Sequence, residues 1–339
     1  MTGLTVVLSA GFTWVGLPSA VLFASLLAGI TQALTSPTVL ELPALAYRAA
    51  QAVIGVTIGA AVSLPALRRM GEDAVPIGAV LLATLAISLA AGWALSLRRD
   101  VSLVTGVFSL IAGGASGVVA IARELGADDR VVTVVQYLRV LVVLMTMPLV
   151  AALVFRPPSG RGGLPPMDAG LPRDLAFTIA AVAIGLVLAR FVPAPTATLL
   201  LPLAVAVGLS VSGWLGRPQV PTFVEWVAFA LIGVQVGLRF TRASLASIAR
   251  LLPTALGLIV AVIVLTAATG ALLAWLTPVD GLTAYLATTP GGLFAVLSTA
   301  ADTGSDVTYV LAVQLCRLLV ILALTPALAR WLARGSRRA

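Results

Sequence analysis

The 339-residue chain has no histidine, no lysine and a single cysteine, Cys316. Without histidine, and with one thiol, zinc, copper and haem sites have almost nothing to bind them, so no cofactor or metal is expected. A Ser-His-Asp or Cys-His hydrolase is excluded for the same reason, and with so few carboxylates an enzyme is not expected. One cysteine permits no internal disulfide. Charge is also scarce. Only 10% of the residues are charged, against about 25% in a soluble domain. A soluble fold of this size could not cover its surface. With 60% apolar residues and a mean hydropathy of +1.10, the composition is that of a multi-pass membrane protein. The net charge of +8 comes from 21 arginines against 13 acidic residues. They cluster between apolar runs, as at Arg68-Arg69, Arg98-Arg99 and Arg334 to Arg338. That placement suits loops beside an anionic membrane surface. A nucleic-acid face would need a soluble module to carry it, so the lipid bilayer is the expected partner and direct nucleic-acid binding is not. Met1 to Ala10 carries no positive n-region, so no secretory signal is expected there.

What is present is a regular series of apolar runs, at 4–15, 17–34, 43–64, 75–97, 101–122, 131–155, 174–191, 195–213, 222–239, 251–276, 281–301 and 307–333. Those of about 20 residues can span the hydrocarbon core as helices. The longest polar-leaning connection is rich in proline and glycine and divides the chain into a first membrane repeat at 1–156, a linker at 157–172 and a second repeat at 173–339.

The two parts are related by a shift of 178 residues. Gly113-Gly114 falls on Gly291-Gly292, Asp128 on Asp306, Gln136 on Gln314, Arg139 on Arg317, and Pro148 on Pro326. Between 100–151 and 278–329 there are 17 identities in 52 ungapped positions, and scarce polar, Gly and Pro residues carry the match. The same shift relates Gly55 and Gly59 to Gly233 and Gly237, which predicts that these helices pack closely through their glycines. If the glycine-broken segments enter the membrane and return, each repeat crosses five times and the second is inverted. With the three arginines inside helices set aside, a cytoplasmic C-terminus then puts 12 arginines inside and 6 outside, against 10 and 8 if all runs cross. The arginine bias therefore favours inversion. The expected fold is all-α integral membrane: two homologous inverted repeats of about five transmembrane helices, each with a Gly-Gly broken or re-entrant helix.

Two elements carry chemistry. The first is the paired break, Gly113-Gly114 with Ser116, and Thr288-Thr289-Pro290-Gly291-Gly292. Glycine costs about 1 kcal/mol in a helix interior and proline about 3. Broken backbone inside a bilayer is tolerated only against protein or a water-filled cavity. Freed N–H groups at the start of a following half-helix form a partly positive anion site, and Ser116, Thr288 and Thr289 add hydroxyls. Matched breaks in two halves point to a transporter's binding site; close packing of small residues is the alternative. The second element is Gln136 with Arg139, repeated as Gln314 with Arg317. A spacing of three puts amide and guanidinium on one helix face. An arginine this deep must face the bundle, a carboxylate or water. It would either hold an anionic substrate or neutralise an aspartate, or else clamp the carbonyls of a broken helix. Asp128 and Asp306 stand where they would cap the helices that follow.

The blocks Ala112-Gly113-Gly114-Ala115-Ser116-Gly117, Ala122-Arg123-Glu124-Leu125-Gly126-Ala127-Asp128, Val135-Gln136-Tyr137-Leu138-Arg139-Val140, Thr289-Pro290-Gly291-Gly292-Leu293 and Gln314-Leu315-Cys316-Arg317-Leu318 resemble the bacterial AbrB-type family of duplicated membrane proteins over nearly the whole chain. The resemblance implies kinship with cation–proton antiporters and anion transporters, whose inverted repeats cross broken helices at mid-membrane, and a likeness to 2-hydroxycarboxylate and glutamate symporters. Relatives carry a glutamate after the second glycine pair; here that position is Ala295, and Gly117 in the first repeat. Family labels such as ammonia monooxygenase fail on the absence of histidine, and a DNA-binding label fails on the absence of a soluble module. The expected function is secondary transport of a small, anionic solute by alternating access at the paired breaks, coupled to H+ or Na+. The alternative is a membrane-embedded regulator or sensor of gene expression without transport. The expected location is the plasma (inner) membrane, and a homodimer is the usual assembly for such a fold.

Overall fold

The computed structural model describes residues 2–14, 19–36, 40, 42–62, 71–111, 122, 125–156, 171–192, 197–211, 218–240, 242, 246 and 248–335. Among these, all regular structure is helical. The helices are α1 (Thr2–Trp14), α2 (Ala20–Thr35), α3 (Ala44–Ala61), α4 (Ala74–Ser96), α5 (Leu103–Leu110), α6 (Asp129–Val150), α7 (Leu171–Ala189), α8 (Ala197–Val211), α9 (Thr222–Gly237), α10 (Leu252–Leu276), α11 (Gly281–Thr288), α12 (Leu293–Thr303) and α13 (Val307–Gly335). Five of them are long and apolar enough to cross a membrane: α3, α4, α6 with the π-helical turn Ala151–Phe155 that follows it, α7 and α10. The turn opens three residues beyond Pro148, which lacks the N–H that the α-helical ladder needs. Many large apolar side chains stand exposed on these helices, including Leu82, Ile179, Val264 and Trp275, as lipid contact requires.

Helix starts recur 178 residues apart: 44 and 222, 74 and 252, 103 and 281, 129 and 307. Gly126 and Gly304, the same distance apart, both adopt positive φ, at 75° and 73°. The short helices α5 and α11 are capped alike. Ser102 Oγ accepts the Thr105 N–H at 3.2 Å, and Asp280 Oδ1 accepts the Thr283 N–H at 2.9 Å. Replacing Asp280 by alanine is expected to cost about 1 kcal/mol, seen as a lower thermal midpoint in detergent; an unchanged midpoint would mean the cap contributes nothing.

The chain forms two compact units, each drawing on both halves of the sequence: Met1–Ala66 with Ala151–Thr241 and Ala301–Thr308, and Leu67–Val150 with Arg242–Ala300 and Tyr309–Ala339. In the first unit, α2 lies along α9 and α3 along α8, with α1 on α2 and α7 on α8. Residue numbers rise together across both pairs. Gly233 meets Leu22 and Leu26 while Gly237 meets Leu26 and Ile30; Gly55 meets Leu199 while Gly59 meets Leu203 and Ala206. Both pairs are therefore parallel. Helices α3 and α9 do pack closely through these glycines; those of α3 face α8 and those of α9 face α2. The glycines lie where one backbone meets another, and each helix has a single face flat enough for that approach. A core of Val56, Phe177, Ala181, Ala206 and Val220 fills the space beside them.

In the second unit, α4 and α10 run antiparallel. Arg98, just past the end of α4, donates to Thr254 in the first turn of α10 at 2.9 Å. Ala91 and Leu95 share a core with Leu251, Ala255 and Ile259. The same Arg98 bonds Asp100 at 3.1 Å, and this bond holds the Asp100 carboxyl below the usual carboxylate range. Gly92 lets α5 approach α4, and Gly270 does the same for α11 on α10.

Candidate functional site

Helix α5 has eight residues, a rise of about 12 Å, well under half of a typical membrane thickness. It ends at Ile111, whose N–H reaches back to Val107. Helix α6 then runs in the same direction as α5. At its start the Asp128 N–H donates to Thr105 Oγ1 at 3.0 Å; two turns on, Gln136 Nε2 donates to Phe108 O at 2.8 Å and Ile111 O at 2.9 Å. One turn further, Arg139 Nη1 donates to Leu110 O at 2.9 Å and Nη2 to Gln136 Oε1 at 2.9 Å. Residues 111–128 connect the two helices. Most of that connection, including Gly113, Gly114 and Ser116, lies outside the described residues. Asp128 caps α6, its Oδ1 accepting the N–H groups of Arg130 and Val131 at 3.0 and 3.2 Å.

The second half repeats the arrangement. Gln314 Nε2 donates to Leu286 O at 2.9 Å and Thr289 O at 3.0 Å; Arg317 Nη1 donates to Thr289 O at 3.0 Å and Nη2 to Gln314 Oε1. Here the connection is described. After Thr289-Pro290-Gly291-Gly292, α12 carries the chain back, its first intrahelical bonds running from the Ala295 and Val296 N–H groups to Gly292 O. The preceding N–H groups, of Gly292, Leu293 and Phe294, stand at the positive end of α12. Residues 282–290 and 295–300 are buried, whereas Gly291 to Phe294 are partly accessible. The glycine-rich tip is thus the open part of an otherwise enclosed hairpin.

Described elements of each half meet the other half's Gln–Arg helix. A Cβ on Gly291 would lie 2.8 Å from Val143 Cγ1, and one on Gly292 would lie 3.7 Å from Val140 Cγ1, so the second tip rests on α6 beside Arg139. Reciprocally, Ile321, one turn beyond Arg317, packs with Val107 and Phe108 of α5 and with Ile111 just past its end. Arg139 and Arg317 are 4% and 8% exposed and lie within electrostatic reach of each other. Among the described residues neither has a carboxylate within ion-pair distance, and the Nε of each is buried with no hydrogen-bond partner. Two like charges in an apolar interior are strongly disfavoured unless something negative compensates them. The carbonyl ends of α5 and α11 supply part of that compensation.

The hydroxyls predicted to serve the break are differently engaged. Thr288 Oγ1 donates to Ala284 O or Tyr285 O at 3.1 Å, and Thr289 Oγ1 to Tyr285 O at 2.7 Å. Both are buried against their own helix, leaving only lone pairs for a ligand. Ala295 is buried in the first turn of α12. Three contributors escaped the sequence reading: Thr105, which fixes the start of α6, and the caps Ser102 and Asp280. Their signal was a Ser or Asp three residues before a threonine.

Residues 4–333 match the family described as "Transition state regulatory protein AbrB". The chain is 33% identical over 335 residues to the "Putative regulator AbrB" of Escherichia coli (strain K12), covering 97% of this chain and 94% of that protein. It is 24% identical over 301 residues to "Uncharacterized protein YhjN" of Bacillus subtilis (strain 168), covering 81% and 76%. With the family matched from end to end, and a relative matched over nearly its full length, the chain belongs to the AbrB family.

Proposed function

We propose that this protein is a secondary transporter of a small anionic solute, built from two inverted repeats of five crossings and one re-entrant hairpin, in the plasma membrane. The carrying observation is the accessible glycine tip of the second hairpin, set beside one of two buried arginines that share no described counter-ion. The half-helix N-terminus and the unused Nε donors suit a carboxylate or similar oxyanion. Inversion is supported by the antiparallel run of α4 and α10, which sit 178 residues apart, and by the parallel runs of α2 with α9 and α3 with α8. Re-entry is supported by the shared direction of α5 with α6 and of α11 with α13. Alternating access at the paired breaks would be driven by a proton or sodium gradient.

The test is reconstitution in liposomes with small mono- and dicarboxylates and imposed H+ or Na+ gradients. Gradient-driven uptake is expected. In Gly291→Val, where the new side chain meets Val143 and displaces the tip, it should fall by about a hundredfold. Uptake no greater than in empty liposomes for every anion and both gradients would overturn the reading. A second reading, a membrane-embedded regulator without transport, is favoured by the regulatory names of the family and of the Escherichia coli relative. It predicts anion binding by the purified protein with no flux.

A further inference from the structure

Asp302 is absent from the site above, yet its side chain is committed. In the last turn of α12 its Oδ2 accepts the backbone N–H of Ser19 at 2.6 Å and the Ser19 hydroxyl at 3.1 Å. Ser19 is buried and precedes α2 with a left-handed backbone, φ 55° and ψ 35°, unusual for a residue other than glycine. Its own side chain does not cap α2, so the Asp302 carboxylate supplies a negative group at that helix's positive end. The contact ties residues 301–308 into the first unit, although the chain on both sides, to Ala300 and from Tyr309, belongs to the second.

The surroundings contain little that titrates. Helices α1 and α2 have no ionisable side chain, and α12 has only Asp302 itself. Helix α9, packed on α2, brings Glu225 two turns before Gly233, and Asp306 lies four residues on from Asp302, beyond the end of α12. No arginine pairs with Asp302 among the described residues. Withdrawal from water outweighs the two Ser19 bonds, which favour the ionised form, and raises the Asp302 carboxyl above the usual carboxylate range, so that it takes up a proton at less acid pH. Protonation removes its charge from the end of α2 and weakens both bonds.

We propose that Asp302 is a proton-binding site whose protonation releases residues 301–308 from the start of α2. If the transport reading holds, it is the place where a proton gradient acts on the link between the second hairpin and the first unit. The release itself does not depend on that reading.

Hydrogen–deuterium exchange of the purified protein in nanodiscs, followed for peptides covering 19–27 and 297–306 between pH 8 and pH 5, tests it without measuring transport. After correction for intrinsic exchange, both peptides should exchange about tenfold faster at the acid end. Asp302→Asn keeps the shape without the ionisable group, and should exchange fast at every pH. Ser19→Ala should exchange faster at high pH but keep the response, because the backbone N–H still meets the carboxylate. Asp306→Asn should behave as wild type. Wild-type exchange that is indifferent to pH, an acid response that survives Asp302→Asn or disappears in Asp306→Asn, or a response to sodium at fixed pH in place of one to protons would each overturn the proposal.

Discussion

An Arg139→Leu protein should lose both anion-dependent stabilisation and uptake while still folding. The substitution removes two donors. Leu110 O and Gln136 Oε1 lose their partner, but Gln136 keeps its bonds to Phe108 O and Ile111 O, so the end of α5 stays tethered. Each buried acceptor left unpaired costs about 1–3 kcal/mol. Part of this is offset because a buried guanidinium no longer needs to be desolvated. A net loss of about 1–3 kcal/mol is expected, read as a lower midpoint of thermal unfolding in detergent. The effect on an anion should be larger. Truncating one partner of a buried, hydrogen-bonded charge pair costs about 2–5 kcal/mol, or some 30-fold to several thousandfold in affinity. Arg139→Lys separates the two roles. Lysine keeps the charge but cannot fork between Leu110 and Gln136. Should the lysine and leucine variants both retain anion-dependent stabilisation, the arginine is a clamp on the half-helix and nothing more. Arg317→Leu is expected to behave alike.

The Gln–Arg pairs were legible because spacing and depth are properties of one helix. Three residues apart, amide and guanidinium had to share a face; well inside an apolar run, they had to turn inward. Their partners were not legible. Gln136 bonds carbonyls 25 and 28 residues away, and a backbone carbonyl carries no signature in a sequence. The caps of α5 and α11 were hidden for a related reason: an eight-residue helix inside a longer apolar run has no periodicity of its own. Thr288 and Thr289 were chosen as hydroxyls beside a break, but threonine in a helix readily bonds the carbonyl one turn back, and both do. The match of Gly55 and Gly59 with Gly233 and Gly237 foretold close helix approach. It could not tell which helix would approach, since α2 and α9 lie some two hundred residues apart. Asp302 was visible only as a neighbour of Asp306; its partner is 283 residues away.

Those glycine contacts lead to the other large effect, one that sorts glycines by what an added methyl would meet. Gly59→Ala would put a Cβ 2.5 Å from Leu203 O and 2.8 Å from Ala206 Cβ, and Gly29→Ala would put one 2.8 Å from Val234 O. The opposing atoms are largely backbone of a packed helix and cannot rotate away. The pairs α3–α8 and α2–α9 would have to separate along their length, opening gaps beside Val56 and Ala206. Overpacking of this kind costs about 1–3 kcal/mol and occasionally more, and the two substitutions on separate helix pairs should nearly add. Gly208 on α8 and Gly257 on α10 are also helical, yet nothing lies within 4 Å of a Cβ built there. Alanine at either should stabilise by up to about 1 kcal/mol, because glycine is the poorer helix former. Thermal unfolding of the four single variants in one detergent reads both signs. If Gly59→Ala and Gly29→Ala unfold no earlier than Gly208→Ala and Gly257→Ala, the parallel glycine seams are not what holds the first unit together. If they unfold earlier and also lose the pH response of residues 19–27, the seam of α2 on α9 is what keeps Ser19 within reach of Asp302.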